Sequence, residues 1–549
     1  MPSLKRLLFA LATAVGLQAH AAPTLLENIH GYTLAGNKLV RFDAMVFNFG
    51  KVVQTGEARA LKKRYPGAQI TGGKGKTVLP GLIDAHGHVL GLGFESTQVA
   101  LEETTSLTEA QDEIRAYAQA NPQHSWILGD GWNQVTWKLG RFPTAAELDV
   151  AVGDRPTLLW RVDGHAAWLN TKALQTAGIT AETEDSVGGR IERDEHGNPS
   201  GVLVDKAMDL ADKALPQPSE VERQHALTAA LHHMNSVGLT SVGDAGDTAA
   251  DIALYKHFAD TGELSVRVYA MIRDAGDDFH QLSPSGPLLG YGDDHLTVRA
   301  VKLFADGALG SRGAALLAPY SDKPDQKGLL FMSDAEMESK VEIALKAGYQ
   351  VNVHAIGDAA NRQVLNAFEA AYKNVGGRDL RNRIEHAQVV ALSDIPRFKQ
   401  LDIIASMQPT HATSDMNMAE DRIGAERLKG AYAWRSMLKQ GTKIAGGSDF
   451  PVESDNPFFG IYSAVTRMDH EGKPAGGWHP EQKMTLLEAF RAFTLDAAYA
   501  QHAEHTQGSL EAGKWADFIV IDRDLFKIAP ADIWKIKVEQ TWVGGKRVF

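Results

Sequence analysis

Short apolar runs closed by polar or turn residues alternate along this chain with stretches whose apolar residues return every three or four positions. The runs fall at residues 239–244, 266–272, 297–304, 349–354, 382–386, 403–408 and 443–449, and an opening run at 79–88 brings them to eight. Continuous apolar runs of this length suit strands buried on both faces, and the periodic stretches after most of them suit helices. Eight strands alternating with helices predict an α/β fold, a TIM-like (β/α)8 barrel of parallel strands. The helices carry start and stop signals, for example Ser219 with Glu222 as a capping box and Gly238 as a stop.

One gap breaks the rhythm. About 150 residues separate the first barrel strand from the second, against roughly 40 for an ordinary strand-helix unit. The insertion, at about 95–218, has structure of its own: a helix near 107–120 with Ser106 and Glu109 as capping box, then segments at 126–132 and 156–168. It leaves the C-terminal end of strand one, so it is expected to lie over the barrel mouth as a lid or pocket wall. Short β-type runs stand at both chain ends, at 39–49, 51–54 and 77–79 and again at 517–522 and 540–549, the last with Gly544-Gly545 as hairpin turn. They predict a small discontinuous β-sandwich domain, its two parts at 22–78 and 506–549, flanking a barrel at 79–505.

Composition adds a compartment. Residues 1–21 read as a secretory signal peptide, with Lys5 and Arg6 at its start, an apolar centre at 7–17 and Ala19-His20-Ala21 as cleavage site. Its removal takes two positive charges, so the net charge moves from −12 to −14. That balance argues against nucleic-acid or anionic-membrane partners, leaves no membrane association after cleavage, and points to a small-molecule substrate. A homodimer is compatible with it. The chain has no cysteine, which suits a periplasmic or secreted protein and restricts any metal site to nitrogen and oxygen ligands.

The candidate chemistry sits in the opening run, LPGLIDAHGH. Side chains two apart on a strand share a face, so His86 and His88 can aim two imidazoles at one point, and a metal ion is the usual reason. Catalytic groups in such barrels stand at the C-terminal strand ends. Strand four holds Lys302 there, strand five His354, strand six His386 and strand eight Asp449. Six polar residues on five strands thus converge on one mouth.

The motifs HGH, VKLFADGALGSRGA, VHAIGDAA, RIEHAQ and GGSDFPV together resemble the amidohydrolase superfamily, in its branch resembling N-substituted formamide deformylase. The resemblance spans nearly the whole chain after the signal. It implies two divalent metal ions, zinc being the expected one, although a nitrogen-and-oxygen ligand set suits iron, manganese or nickel equally. It implies His86, His88 and Asp449 on the more buried ion, His354 and His386 on the second, and a carbamate formed on Lys302 from carbon dioxide bridging both. It further implies attack of a metal-bound hydroxide on an amide- or formamide-type carbonyl, with Asp449 as general base and acid, and contact of His165 with the carbonyl oxygen. Arg312 could hold a carboxylate, and Trp132, with Trp126, Trp137, Trp160 and Trp168, could wall an aromatic pocket or form the insertion's own core. His411 follows strand seven near the mouth. Ester or lactone hydrolysis, isomerisation or deamination would use the same site, and a non-catalytic metal-binding protein of the periplasm is the reading from another class.

Overall fold

In the computed structural model, residues 22–101, 103–161, 166–186, 189–310 and 312–549 are described. The expected signal peptide and His165 lie outside them. Eight parallel strands form the central sheet: β1 (Leu82–Gly87), β2 (Leu239–Asp247), β3 (Arg267–Arg273), β4 (Leu296–Phe304), β5 (Gln350–Ala355), β6 (Arg383–His386), β7 (Ile404–Met407) and β8 (Ile444–Gly446). Each coincides with one of the eight apolar runs. Neighbours in sequence are neighbours in the sheet, and the register brings the functional positions level: Lys302 faces Asn352, Phe304 faces His354, and Ala355 faces His386 across successive ladders. Between β8 and β1 the barrel closes through the segments just beyond them, with Asp449 N donating to His86 O at 2.7 Å and His88 N to Phe450 O at 2.8 Å.

Alternation along the strands divides apolar from polar. Val301 and Leu303 of β4, Val351 and Val353 of β5 and Ile384 of β6 face outward into one large core with Val341, Leu345, Val364 and Phe368 of the helices Asp334–Lys346 and Asp358–Asn374. Fully burying each such side chain contributes roughly 1.5–3 kcal/mol. The inward set is polar and fully enclosed: Asp84, His86, Lys302, Asn352, Arg383, Glu385 and Ser406 are at most 1% exposed.

Both chain ends build a second sheet of seven strands. Its order runs Lys546–Arg547, Val538–Val543, Phe518–Ile521, Gln69–Pro80, Thr24–Ala35, Lys38–Asn48, Lys51–Gly56. It is one continuous sheet folded on itself, which gives the sandwich-like packing: Phe47 meets Phe518 at 5.8 Å and Trp542 at 6.2 Å, although their strands are not neighbours. Gly544 and Gly545 take φ of +55° and +70°, as the tight hairpin requires. The strand Gln69–Pro80 leads into β1 across Gly81, whose amide donates to Asp517 O at 2.9 Å.

The insertion folds as a six-stranded sheet between residues 99 and 205, with its own cores. The helix Leu107–Ala120 starts where the sequence predicts, yet its cap differs. Ser106 Oγ accepts from Glu109 N, while the Glu109 carboxylate reaches past Ser106 to Thr105 N and Oγ1. The Ser219–Glu222 capping box is complete. No described helix is long and apolar enough to cross a membrane.

Candidate metal centre

Fully buried His86 owes its place to two neighbours. Gly87 separates it from His88, and a Cβ there would stand 2.4 Å from the Phe450 ring, so only glycine lets the chain beyond β8 pack against the motif. Asp84, two residues earlier on the same face, accepts from His86 N, Ser448 N and Ser448 Oγ, tying β1 to the segment that carries Asp449. Burial nonetheless pushes the Asp84 carboxyl up to about 7.

Glu385 of β6 orients the His86 ring. Its Oε2 lies 2.5 Å from His86 Nδ1, and its Oε1 pairs with Arg383 Nε at 2.7 Å. Burial alone would raise Glu385, but Arg383 and then His86 hold it down at about 2. With Nδ1–H given to that carboxylate, His86 Nε2 turns toward Asp449 Oδ1 at 3.4 Å and has no hydrogen-bond partner. Burial and the Lys302 charge push His86 down, but Glu385 and Asp449 outweigh them and hold it above its ordinary value. A cation bound at Nε2 would displace that proton.

His386 reaches the same point by another route. Arg383 and Glu385 face inward, so strict alternation would send His386 outward. The left-handed turn at its own residue, φ +71°, followed by Ala387 at +44°, brings it back. Its Nδ1 is 2.9 Å from Gln408 Oε1, and its ring lies 4.5 Å from that of His354 and 4.9 Å from that of His86. Asp449, beyond β8, also has a left-handed φ of +66°. His88 Nε2 binds its Oδ1 at 3.1 Å. Burial works against the Asp449 charge, yet the nearby His86 and His88 imidazoles hold the carboxyl well below the usual range.

His86, His386 and Asp449 each offer a ligand atom within 4.8 Å of the others, all three buried. His354 lies beside His386 and lines the same cavity of about 360 Å³, as do His88 and Lys302. Burial and the Lys302 charge lower His354 to about 3, and burial with the His354 charge carries His386 well below its ordinary value. Both rings are neutral at pH 7, the form that ligates a cation. Lys302 Nζ stands 4.2 Å from the centre of the Phe304 ring, and burial lowers the amine to about 8. Neutral imidazoles, an ionised carboxylate and an orphaned buried nitrogen fit a divalent cation.

Two expected substrate contacts sit elsewhere. Trp132 is fully buried in the insertion's core, its indole N–H donating to Leu159 O at 2.7 Å and its ring 6.5 and 6.3 Å from Trp137 and Trp168. Close packing of three indoles takes it out of reach of the cavity. Arg312 is held by Asp322 in two bonds, at 2.8 and 3.2 Å, and is absent from the cavity wall. Among the described residues, none of the insertion lines the cavity. Conversely, Glu385, Arg383 and Gln408 were not legible as site residues. Two charged residues alternating within the apolar strand RIEH are the signal that could have found the first pair. His411 does line the cavity, its Nε2 3.7 Å from Asp449 Oδ2.

A family model described as the amidohydrolase family matches residues 73–549. The chain is 34% identical over 518 residues to the YtcJ protein of Bacillus subtilis (strain 168), covering 93% of this chain and 96% of that one. It is 29% identical over 518 residues to the N-substituted formamide deformylase of Arthrobacter pascens, covering 91% and 94%. The crystal structure of an uncharacterized metal-dependent hydrolase from Pyrococcus horikoshii OT3 matches with a TM-score of 0.78 at 28% identity, covering 92% of this chain and 99% of that one.

Proposed function

The chain belongs to the amidohydrolase family, and from that premise we propose that it hydrolyses an amide- or formamide-type carbon–nitrogen bond of a small non-peptide substrate. One observation carries the reading: His86, His386 and Asp449 converge within 4.8 Å, with His86 Nε2 buried and unpartnered among them. His86, His88 and Asp449 would hold one divalent ion, zinc by preference, and His354 and His386 a second. Lys302 would join them as its carbamate, because an amine lowered to about 8 is in part neutral and able to add carbon dioxide. Divalent cations held there would supply Lewis acidity, polarising a carbonyl and acidifying water.

The residues do the rest. Asp449, kept ionised by His86 and His88, accepts the proton of the attacking water as its oxygen bonds to the carbonyl carbon, then delivers that proton to the nitrogen as the carbon–nitrogen bond breaks. Glu385 and Gln408 fix the rings of His86 and His386 throughout. The name of the Arthrobacter pascens relative supports a formamide or amide as the bond cut. The exported, periplasmic location is part of the same proposal, and N-terminal sequencing of the processed protein is expected to begin near Ala22.

The test is metal content by mass spectrometry together with turnover of N-formyl, N-acyl and ester panels. We expect about two ions per chain, loss of hydrolysis on chelation and recovery on metal return. Asp449→Asn should lower kcat by at least about 100-fold. Ester cleavage without amide cleavage would replace the proposed bond.

A further inference from the structure

The helix after β7, Pro409–Asp415, turns one face into the catalytic cavity. His411, Ser414 and Asp415, three and four residues apart, all line it. His411 Nε2, 3.7 Å from Asp449 Oδ2 and without a hydrogen-bond partner, marks the end of this face that meets the reacting groups. Side chains four apart on a helix lie about 6 Å from each other, so Asp415 stands one turn along the helix from His411. Glu453, from the segment after β8, reaches the same wall and accepts from Ser414 Oγ at 2.5 Å.

Neither carboxyl is bonded to a lysine or arginine, and His411 is the basic side chain that faces both. Asp415 accepts from Gln388 Nε2 and Tyr432 OH, both at 2.7 Å, and Glu453 from Ser414, all neutral donors. Among the described residues, Lys302 is the only Lys or Arg lining the cavity, and it is 1% exposed at the floor. Burial pushes both carboxyls above the usual range, and the His411 charge with their neutral donors offsets only part of it. Phe304, Leu309, Ile356 and Val452 supply apolar walls for the arm between. Asp449 Oδ2 faces His411 on this side, and a leaving nitrogen that takes its proton from that oxygen would point toward the acidic wall.

We infer that the substrate is an amide or formamide of a diamine-like molecule, whose leaving amine carries a second, positively charged nitrogen seated between Asp415 and Glu453. The inference rests on the carbon–nitrogen hydrolase reading. Its test uses metal-replete protein and the N-formyl and N-acetyl derivatives of putrescine, pentylamine and γ-aminobutyrate, which are cationic, neutral and anionic at similar length. The expected order of kcat/KM is cationic over neutral over anionic. Glu453→Gln should lower the cationic-to-neutral ratio about tenfold, the scale of one partly buried charge pair. Asp415→Asn should lower it too, and added salt should raise KM for the cationic amide alone.

Equal kcat/KM for the three classes, or a ratio untouched by Glu453→Gln in a variant that melts like the parent, overturns the inference while leaving amide hydrolysis intact. Cleavage of none of the amides overturns the hydrolase reading instead, and calorimetric binding of the free amines then decides the cation site. Putrescine binding tighter than pentylamine, with the difference lost in Glu453→Gln, upholds it, and equal binding ends it.

Discussion

Whether His86 Nε2 is free to face a cation depends on Glu385, the carboxylate that accepts from its Nδ1–H at 2.5 Å and is itself held by Arg383. Glu385→Gln weakens both contacts and leaves the fully buried Arg383 without its counter-charge. Breaking a buried pair in this way costs about 3–5 kcal/mol, so the variant is expected to melt well below the parent. Loss of a ring-orienting partner lowers metal affinity about 10–100-fold, and metal content after gel filtration checks it. A variant that keeps both its melting temperature and its metal removes Glu385 from the centre. Because a cation at His86 displaces a proton held above the ordinary value, metal retention is expected to fall as pH drops below that range.

At the scale of elements, the chemistry depends on where strands stop. The motif on β1 tolerates no side chain at position 87, since a Cβ would lie 2.4 Å from Phe450. Gly87→Ala is expected to cost about 1–3 kcal/mol from overpacking and to lower metal content with it. Normal metal at normal stability would show that Phe450 gives way. The helix Leu486–Ala492 offers a pH test remote from the site. Arg435 grips Glu488 in two bonds of 2.8 and 2.6 Å and, with the Thr485 cap, lowers its carboxyl from 4.5 to about 2. The depressed value means this contribution is full above pH 4.5 and fades as pH falls from 4.5 to 2. Arg435→Gln should therefore lower stability at pH 7 and flatten the acid-side slope of the melting temperature. A slope equal to the parent's would assign the acid loss to other carboxylates.

At the scale of the molecule, barrel and end sheet meet through charge as well as through apolar contact. Arg267 of β3, 1% exposed, binds Asp517 Oδ2 at 2.7 Å and Oδ1 at 3.1 Å, and the same carboxylate accepts from Gly544 N in the C-terminal hairpin. Arg267 also stands 4.4 Å from the centre of the Trp515 ring. Asp517→Ala strands that guanidinium and frees the hairpin amide, so a loss of about 3–5 kcal/mol in chemical denaturation is expected. A loss under about 1 kcal/mol, the surface-pair range, would mean that the two sheets hold together by apolar packing alone.

All eight barrel strands, the insertion and the pairing of the two chain ends were legible in sequence because each depends on local pattern: buried strands are continuous apolar runs, and turns need glycine. The order of His86, His88, Lys302, His354, His386 and Asp449 along those strands was legible for the same reason, since a barrel brings every C-terminal strand end to one mouth. Tertiary structure alone decided the rest. Periodicity places His386 on the wrong face, and the left-handed turn over His386 and Ala387 corrects it. Glu385 becomes the partner of His86 across 299 residues of chain. Trp132 and Arg312 are residue types that suit a binding site, but three-dimensional neighbours claimed them first, an indole cluster in one case and Asp322 in the other. A sequence carries the spacing of side chains along a strand, whereas the partner each one meets is set by contacts between segments far apart in the chain.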